Sequence, residues 1–414
     1  MKFFTDSNTA AKWINVVLST SQLGVVKFGR PLVLANYSSA EPTLLTIADV
    51  ENALTDVENV VADLIGHPGE YMRVLCRAQR AVLSILKSEK RPYLSLVRDI
   101  LDLDFMPIPD SEAAVLRAQL DNGLEVMGYR GSLDKKVECW LAQTSITGEP
   151  VIELAKQIVN SSREATIRQV VALPPSEGLD SIYSVRNVHY SGRSQYTGEY
   201  RGWLHFNVDK IWQEDVFVQV LCHEGYPGHQ TFYCLWDVLF RDGSWPLEAA
   251  YYQLNNSTNV VFEGGPEVAM TFIGWDQGDN PVAHARRVGQ VFKDLNRVGM
   301  NNACYYSNLG EMKRAEAVAY MMDHMTVRDD AERAFEFMTD TLACTNYPQY
   351  YYGRRMVGKA YALMSASIDL KKCFFDILYR TPHCTSTFLK AVSSATASSF
   401  DPFKFDFVPG LLDA

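Results

Sequence analysis

A mainly α-helical fold carrying one small extended insert is predicted by three features of the sequence. Apolar residues recur at steps of three and four over long windows in both halves of the chain. In the first half, β-like composition is confined to residues 25–36. The Tyr-, Ser- and Gly-rich segment 181–207 falls just ahead of the richest chemical motif.

The clearest helical window begins after Thr46, where Ile47, Val50, Leu54, Val57, Val61 and Leu64 form one apolar stripe. Thr46 with Asp49 reads as an N-terminal cap, and Gly66 with Pro68 as the stop. Further helices are expected over 69–88, 92–103, 110–128 and 150–171. After Pro174 and Pro175 the composition shifts, and 181–207 reads as short strands or extended loop. Helices return over 212–241, broken by Pro227, and over 246–262, 283–302, 310–327, 330–342 and 350–370. The chain divides into an N-terminal helical region, 1–175, and a motif-bearing region, 176–414, sharing one cleft.

With 39 Lys and Arg against 49 Asp and Glu, the net charge of −10 argues against a nucleic-acid protein, which needs a basic face. No apolar run approaches the roughly 20 residues of a membrane helix, and the N-terminus lacks a signal-peptide pattern. Eight single cysteines without a C-x-x-C pair fit a reducing cytoplasm. The expectation is therefore a cytoplasmic protein with no nucleic-acid or membrane partner; the oligomeric state is not legible.

The motif is His223, Glu224, Gly225, Tyr226, Pro227, Gly228 and His229. Neutral imidazoles suit Zn²⁺, and a carboxylate beside them can act as general base, which assigns that role to Glu224. The spacing differs from H-E-x-x-H: six residues on an unbroken helix place the rings about 240° apart. Pro227 and Gly228 must therefore bend the chain to bring His229 back. A third ligand is expected from residues 262–267, with Glu263 preferred and Glu267 as competitor or as partner to a ligand imidazole.

His223, Glu224, Pro227, Gly228 and His229, followed by Phe262, Glu263 and Gly264, resemble a bacterial family of uncharacterised, predicted zinc metallopeptidases similar to the gluzincins. The resemblance spans about residues 180–370. It implies a helical metallopeptidase-like fold with His, His and Glu ligands. It aligns Arg297, Asn301 and Tyr305 with the family's Arg, Asp and His, and Tyr350 and Gly353 with its Tyr-x-x-Gly. Gly265 and Pro266 depart from the pattern, Pro266 being expected to interrupt the following helix. On this basis Tyr350 and Tyr305 are candidate oxyanion donors, and Arg297, Asn301 and Tyr351 candidate substrate contacts.

The function expected from sequence is a zinc-dependent hydrolase that cleaves a peptide or small amide bond with metal-activated water. The alternatives are a metal-dependent hydrolase or lyase acting on a non-peptide small molecule, and a non-catalytic binding descendant.

Overall fold

The structure, a computed structural model, describes residues 3, 4, 6–188 and 190–404. His189, which the sequence places in the Tyr-, Ser- and Gly-rich insert, lies outside the described residues.

Local signals set most of the N-terminal helices. The Asp6 carboxylate accepts from the backbone of Asn8 and Thr9 and opens α1 (Ser7–Phe28), which Gly29 ends in a left-handed conformation. Residues 25–28, expected to be β-like, complete this helix, and β1 is only Val33–Asn36. Thr46 and Asp49 form the reciprocal cap of α2 (Ile47–Ala62), with Val50, Leu54, Val57 and Val61 buried as the stripe requires. Pro68 does not stop that helix. It sits in the first turn of α3 (Gly66–Leu86), where its missing N–H has no helical partner to lose. The helices α4 (Tyr93–Leu101), α5 (Asp110–Val126), α6 (Leu133–Thr144) and α7 (Glu149–Gln169) follow, with β2 (Ser145–Ile146) between the last two.

The extended insert is a three-stranded sheet of β3 (Gly178–Val185), β4 (Gly192–Gly198) and β5 (Arg201–Asn207). The strand β5 is central, parallel to β3 and antiparallel to β4. The short β6 (Trp212–Gln213) pairs with β2. The chain then enters α8 (Glu214–Glu224) and α9 (His229–Arg241).

The expected helix over 246–262 is replaced by a single 3-10 turn and by β7 (Tyr251–Gln253), which pairs antiparallel with β1. Tyr251 and Tyr252 bury their rings there, so strand pairing and aromatic packing override the helical spacing. Helix α10 (Asn259–Phe272) starts later than expected and runs straight through Pro266. The remaining helices are α11 (Pro281–Asn308), α12 (Arg314–Asp323), α13 (Arg328–Thr339), α14 (Gln349–Met364), α15 (Ile368–Arg380) and α16 (Thr385–Thr396).

The largest core cluster draws Trp13, Leu54, Val82, Leu120 and Trp140 from the first 175 residues and Phe262, Leu295, Tyr352 and Phe388 from the remainder. Trp13 is fully buried and donates its indole N–H to the carbonyl of Glu248 at 3.0 Å. Truncating such a ring to alanine typically costs about 3–5 kcal/mol. No helix among the described residues is long and apolar enough to cross a membrane.

Candidate metal centre

A bend between two helices and a third, later helix meet at one point. Helix α8 ends at Glu224, a four-residue turn containing a cis Tyr226–Pro227 peptide follows, and α9 begins at His229. Gly228 lets the turn close. A β-carbon there would stand 1.8 Å from the carbonyl oxygen of His223 and 2.4 Å from that of Cys222, so no other residue fits. The turn thereby brings the two imidazoles to 4.7 Å between ring centres, nearly perpendicular to each other. Tyr226 anchors the bend. Its hydroxyl donates to the buried carboxylate of Glu177 at 2.5 Å, and Glu177 also accepts from Gln230 at 3.2 Å and from Arg163 at 2.7 Å.

Helix α10 supplies the acid. Oε2 of Glu263 lies 3.3 Å from Nε2 of His223 and 3.4 Å from Nε2 of His229, and it has no hydrogen-bond partner although it is buried. Two ligand atoms on a tetrahedral ion at 2.0–2.1 Å stand about 3.3–3.4 Å apart. The donor set and spacing therefore fit a divalent ion such as Zn²⁺. Burial favours the neutral carboxyl of Glu263, but the neighbouring His229 and His223 outweigh it and hold the group at about 2. The same attraction raises His229 against the effect of its own burial. Oε1 of Glu263 receives the Tyr252 hydroxyl at 3.5 Å.

Glu224 is the fourth group. One of its oxygens lies with a donor atom of each imidazole inside a 4.8 Å cluster. Its carboxylate has no hydrogen-bond or ion-pair partner among the described residues, and the residue is only 7% exposed. Gly192 of β4 passes directly over it, so that an added β-carbon there would meet Cγ of Glu224 at 3.1 Å.

Glu267, one turn beyond Glu263, is not placed as a ligand. Its Oε1 lies 3.5 Å from Nδ1 of His223, a charge contact without a hydrogen bond on the side of the ring away from Glu263. Lys293 and Arg297 reach this carboxylate at 2.9 and 2.8 Å. Burial raises the Glu267 carboxyl, but these cations and His223 prevail and hold it well below the usual carboxylate range. Burial in turn lowers the Lys293 ammonium despite Glu267.

The sequence candidates thus separate. His223, His229, Glu263 and Glu224 come together. Arg297, expected at a substrate, is committed to Glu267 and stacks 4.6 Å over the ring of Tyr350. Tyr350 is half-buried and near the cluster, its phenol pushed well above the usual value by burial and then by Glu263. Asn301 is 1% exposed with neither amide atom partnered. Tyr305 packs edge-on against Phe105 and Tyr306, and the Tyr351 hydroxyl reaches Glu112 at 3.4 Å; none of these partners belongs to the cluster. Sequence reasoning missed Tyr252, Lys293 and the Glu177 network. Lys293 alone left a signal, four residues before Arg297 on one face of α11.

No protein-family model matches the chain, and no curated protein matches it. Solved structures share its fold, two of them as follows. One is described as "the putative lipoprotein from Colwellia psychrerythraea" (TM-score 0.59, 15% identity, 85% of this chain and 64% of that one). The other is "a putative lipoprotein of unknown function from Shewanella oneidensis" (TM-score 0.53, 14% identity, 86% and 74%). The chain therefore spans less than two thirds of the first structure's length, and identities this low speak for the fold alone.

These matches correct the expectation from sequence. Both of these structures are described as putative lipoproteins, one of them explicitly of unknown function, and not as metallopeptidases. The membership expected from the H-E-x-x-P-G-H resemblance is withdrawn, and with it the zinc-dependent peptide or amide hydrolase. The physical reason is that the resemblance rests on a few residues around one bend, and such a constellation can be carried by a fold whose function differs. Neither the non-peptide hydrolase or lyase nor the non-catalytic descendant gains support from the matches.

Proposed function

We propose that this protein binds one divalent transition-metal ion, Zn²⁺ being the best fit, through Nε2 of His223, Nε2 of His229 and Oε2 of Glu263. The observation that carries the reading is the unpartnered, buried Oε2 of Glu263 standing 3.3 and 3.4 Å from two ring nitrogens. A carboxylate so placed needs a cation between the three atoms, or a proton on an imidazole.

Three protein ligands leave a coordination position for a small exogenous ligand, as in zinc centres that do chemistry and unlike closed four-ligand structural sites. The buried, unpaired carboxylate of Glu224 beside that position supports an enzymatic role in which it takes or gives a proton. Eight free thiols favour a reducing compartment such as the cytoplasm. The lipoprotein description belongs to the structural neighbours.

The test is metal stoichiometry after loading with Zn²⁺ and exhaustive dialysis. Wild type and Glu224→Gln should each retain one equivalent, while His223→Ala, His229→Ala and Glu263→Ala should retain none. Full occupancy in the two histidine variants would refute the ligand assignment.

A further inference from the structure

We propose that an open groove between α2, α3 and α4, separate from the metal centre, binds a phosphorylated small molecule. The groove encloses about 520 Å³ and is lined by Arg73, Arg77, Arg80 and Arg91 against the carboxylates of Glu58 and Asp99. Four guanidinium groups facing two carboxylates leave an excess of two positive charges in a chain whose net charge is −10. Asp102, which Arg77 reaches at 2.6 Å, reduces the excess to one; Glu51 and Glu70, which act on Arg80 and Arg73 from the edge, are balanced by their own partners Lys87 and Lys390.

The arrangement is built by the fold. Arg73, Arg77 and Arg80 are spaced four and three apart on α3, so their stems rise from one face, and Arg91 closes the end from the loop before α4. The acids hold one side of each neighbouring guanidinium. Glu58 accepts from Nε and Nη2 of Arg80 at 3.0 and 2.6 Å, and Asp99 pairs with Nη2 of Arg91. Nη1 of Arg77, of Arg80 and of Arg91 has no partner among the described residues.

Arg73 makes no direct ion pair among the described residues, although it lies near enough to the Glu70 carboxylate to lower it. Its Nη1 donates to the carbonyls of Leu64 at 2.9 Å and Val61 at 3.4 Å, which fixes the side chain across the end of α2 and leaves Nε and Nη2 available. Preset planar donors carrying excess charge match a phosphate, which presents several anionic oxygens to a guanidinium fork. A neutral ligand would leave that charge unanswered.

Inorganic phosphate is the probe, titrated calorimetrically into the zinc-loaded protein at low ionic strength. We expect one saturable site whose affinity falls as salt is added. Arg73→Gln should weaken it at least about fivefold, and Arg73→Gln with Arg77→Gln at least about tenfold. Glu263→Gln should leave it unchanged, because the groove does not depend on the metal. Arg73→Gln orphans no acid, so it decides the matter if the double variant fails to fold. Absence of saturation up to about 20 mM, wild-type affinity in Arg73→Gln, or loss of binding in Glu263→Gln would overturn the proposal.

Discussion

A β-carbon on Gly264 would stand 2.5 Å from the carbonyl oxygen of Gly353, and one on Gly353 would stand 2.4 Å from the carbonyl oxygen of Val260. Helices α10 and α14 therefore cross backbone to backbone. That contact sets Glu263, beside Gly264, and Tyr350, one turn before Gly353, on the same side of the crossing. Gly264→Ala must push two helical backbones apart, which costs about 1–3 kcal/mol. It should also lose the metal, because Glu263 moves with its neighbour. Denaturant midpoints and zinc content of the variant check both; an unchanged midpoint would show that the helices can separate cheaply.

Glu267→Gln keeps the shape behind His223 but removes the charge that faces Lys293, Arg297 and Nδ1 of the imidazole. Partners of this kind are worth roughly 10–100-fold in metal affinity. Competition with a chelator should show a loss in that range, with the stoichiometry still reaching one at saturating zinc. An affinity equal to wild type would mean that the ring is held by its packing alone.

Tyr226→Phe removes the hydroxyl that ties the bend to Glu177. Glu177 keeps Arg163 and Gln230, so the carboxylate is not left bare, and a loss of about 1–2 kcal/mol in stability is expected with metal still bound. Equilibrium unfolding of the zinc-loaded variant measures it. A loss of metal without a loss of stability would place the hydroxyl's effect on the site itself.

Stability should also depend on pH through a histidine pair that is not part of the candidate metal site. His383 and His67 face each other with ring centres 4.9 Å apart, and three of their four nitrogens lack a partner. Burial, then the neighbouring His67, lowers the His383 imidazole to about 3, and burial lowers His67 too. The unfolded chain takes up these protons near pH 6.5 while the folded chain does not. The stabilisation from the neutral rings is thus complete above about pH 6.5 and is lost as the pH falls towards 3. Each ring contributes a slope of up to about 1.4 kcal/mol per pH unit. Unfolding curves from about pH 7.5 to 5 should be flatter for His383→Leu than for wild type; parallel curves would contradict this assignment.

The parts of the fold and site that were legible in the sequence are those fixed by near neighbours. The Thr46–Asp49 cap, the apolar stripe of α2 and the break between α8 and α9 each depend on residues within a turn or two. The convergence of His223 and His229 was legible because the six-residue spacing left Gly228 as the residue able to close the bend. Glu263 was reached through its motif. Tyr252, Glu177 and Lys293 were not legible, since each meets its partner across at least 11 residues of chain through packing that no local pattern records. The 246–262 window failed for the same reason, because β7 exists only through pairing with β1, more than 200 residues away. Arg297 was found but given the wrong neighbour: a buried guanidinium reads alike in sequence whether it faces a substrate or Glu267. The supposed family was the furthest overreach, a whole-protein identity drawn from a few residues around one turn.

Zinc K-edge absorption spectroscopy on the loaded protein reads which atoms of His223, His229 and Glu263 hold the ion. A first shell of two imidazole nitrogens and one or two oxygens at about 2.0–2.1 Å is expected, with one imidazole scatterer missing in His229→Ala. A shell containing sulfur, or a spectrum identical in wild type and His229→Ala, would contradict it.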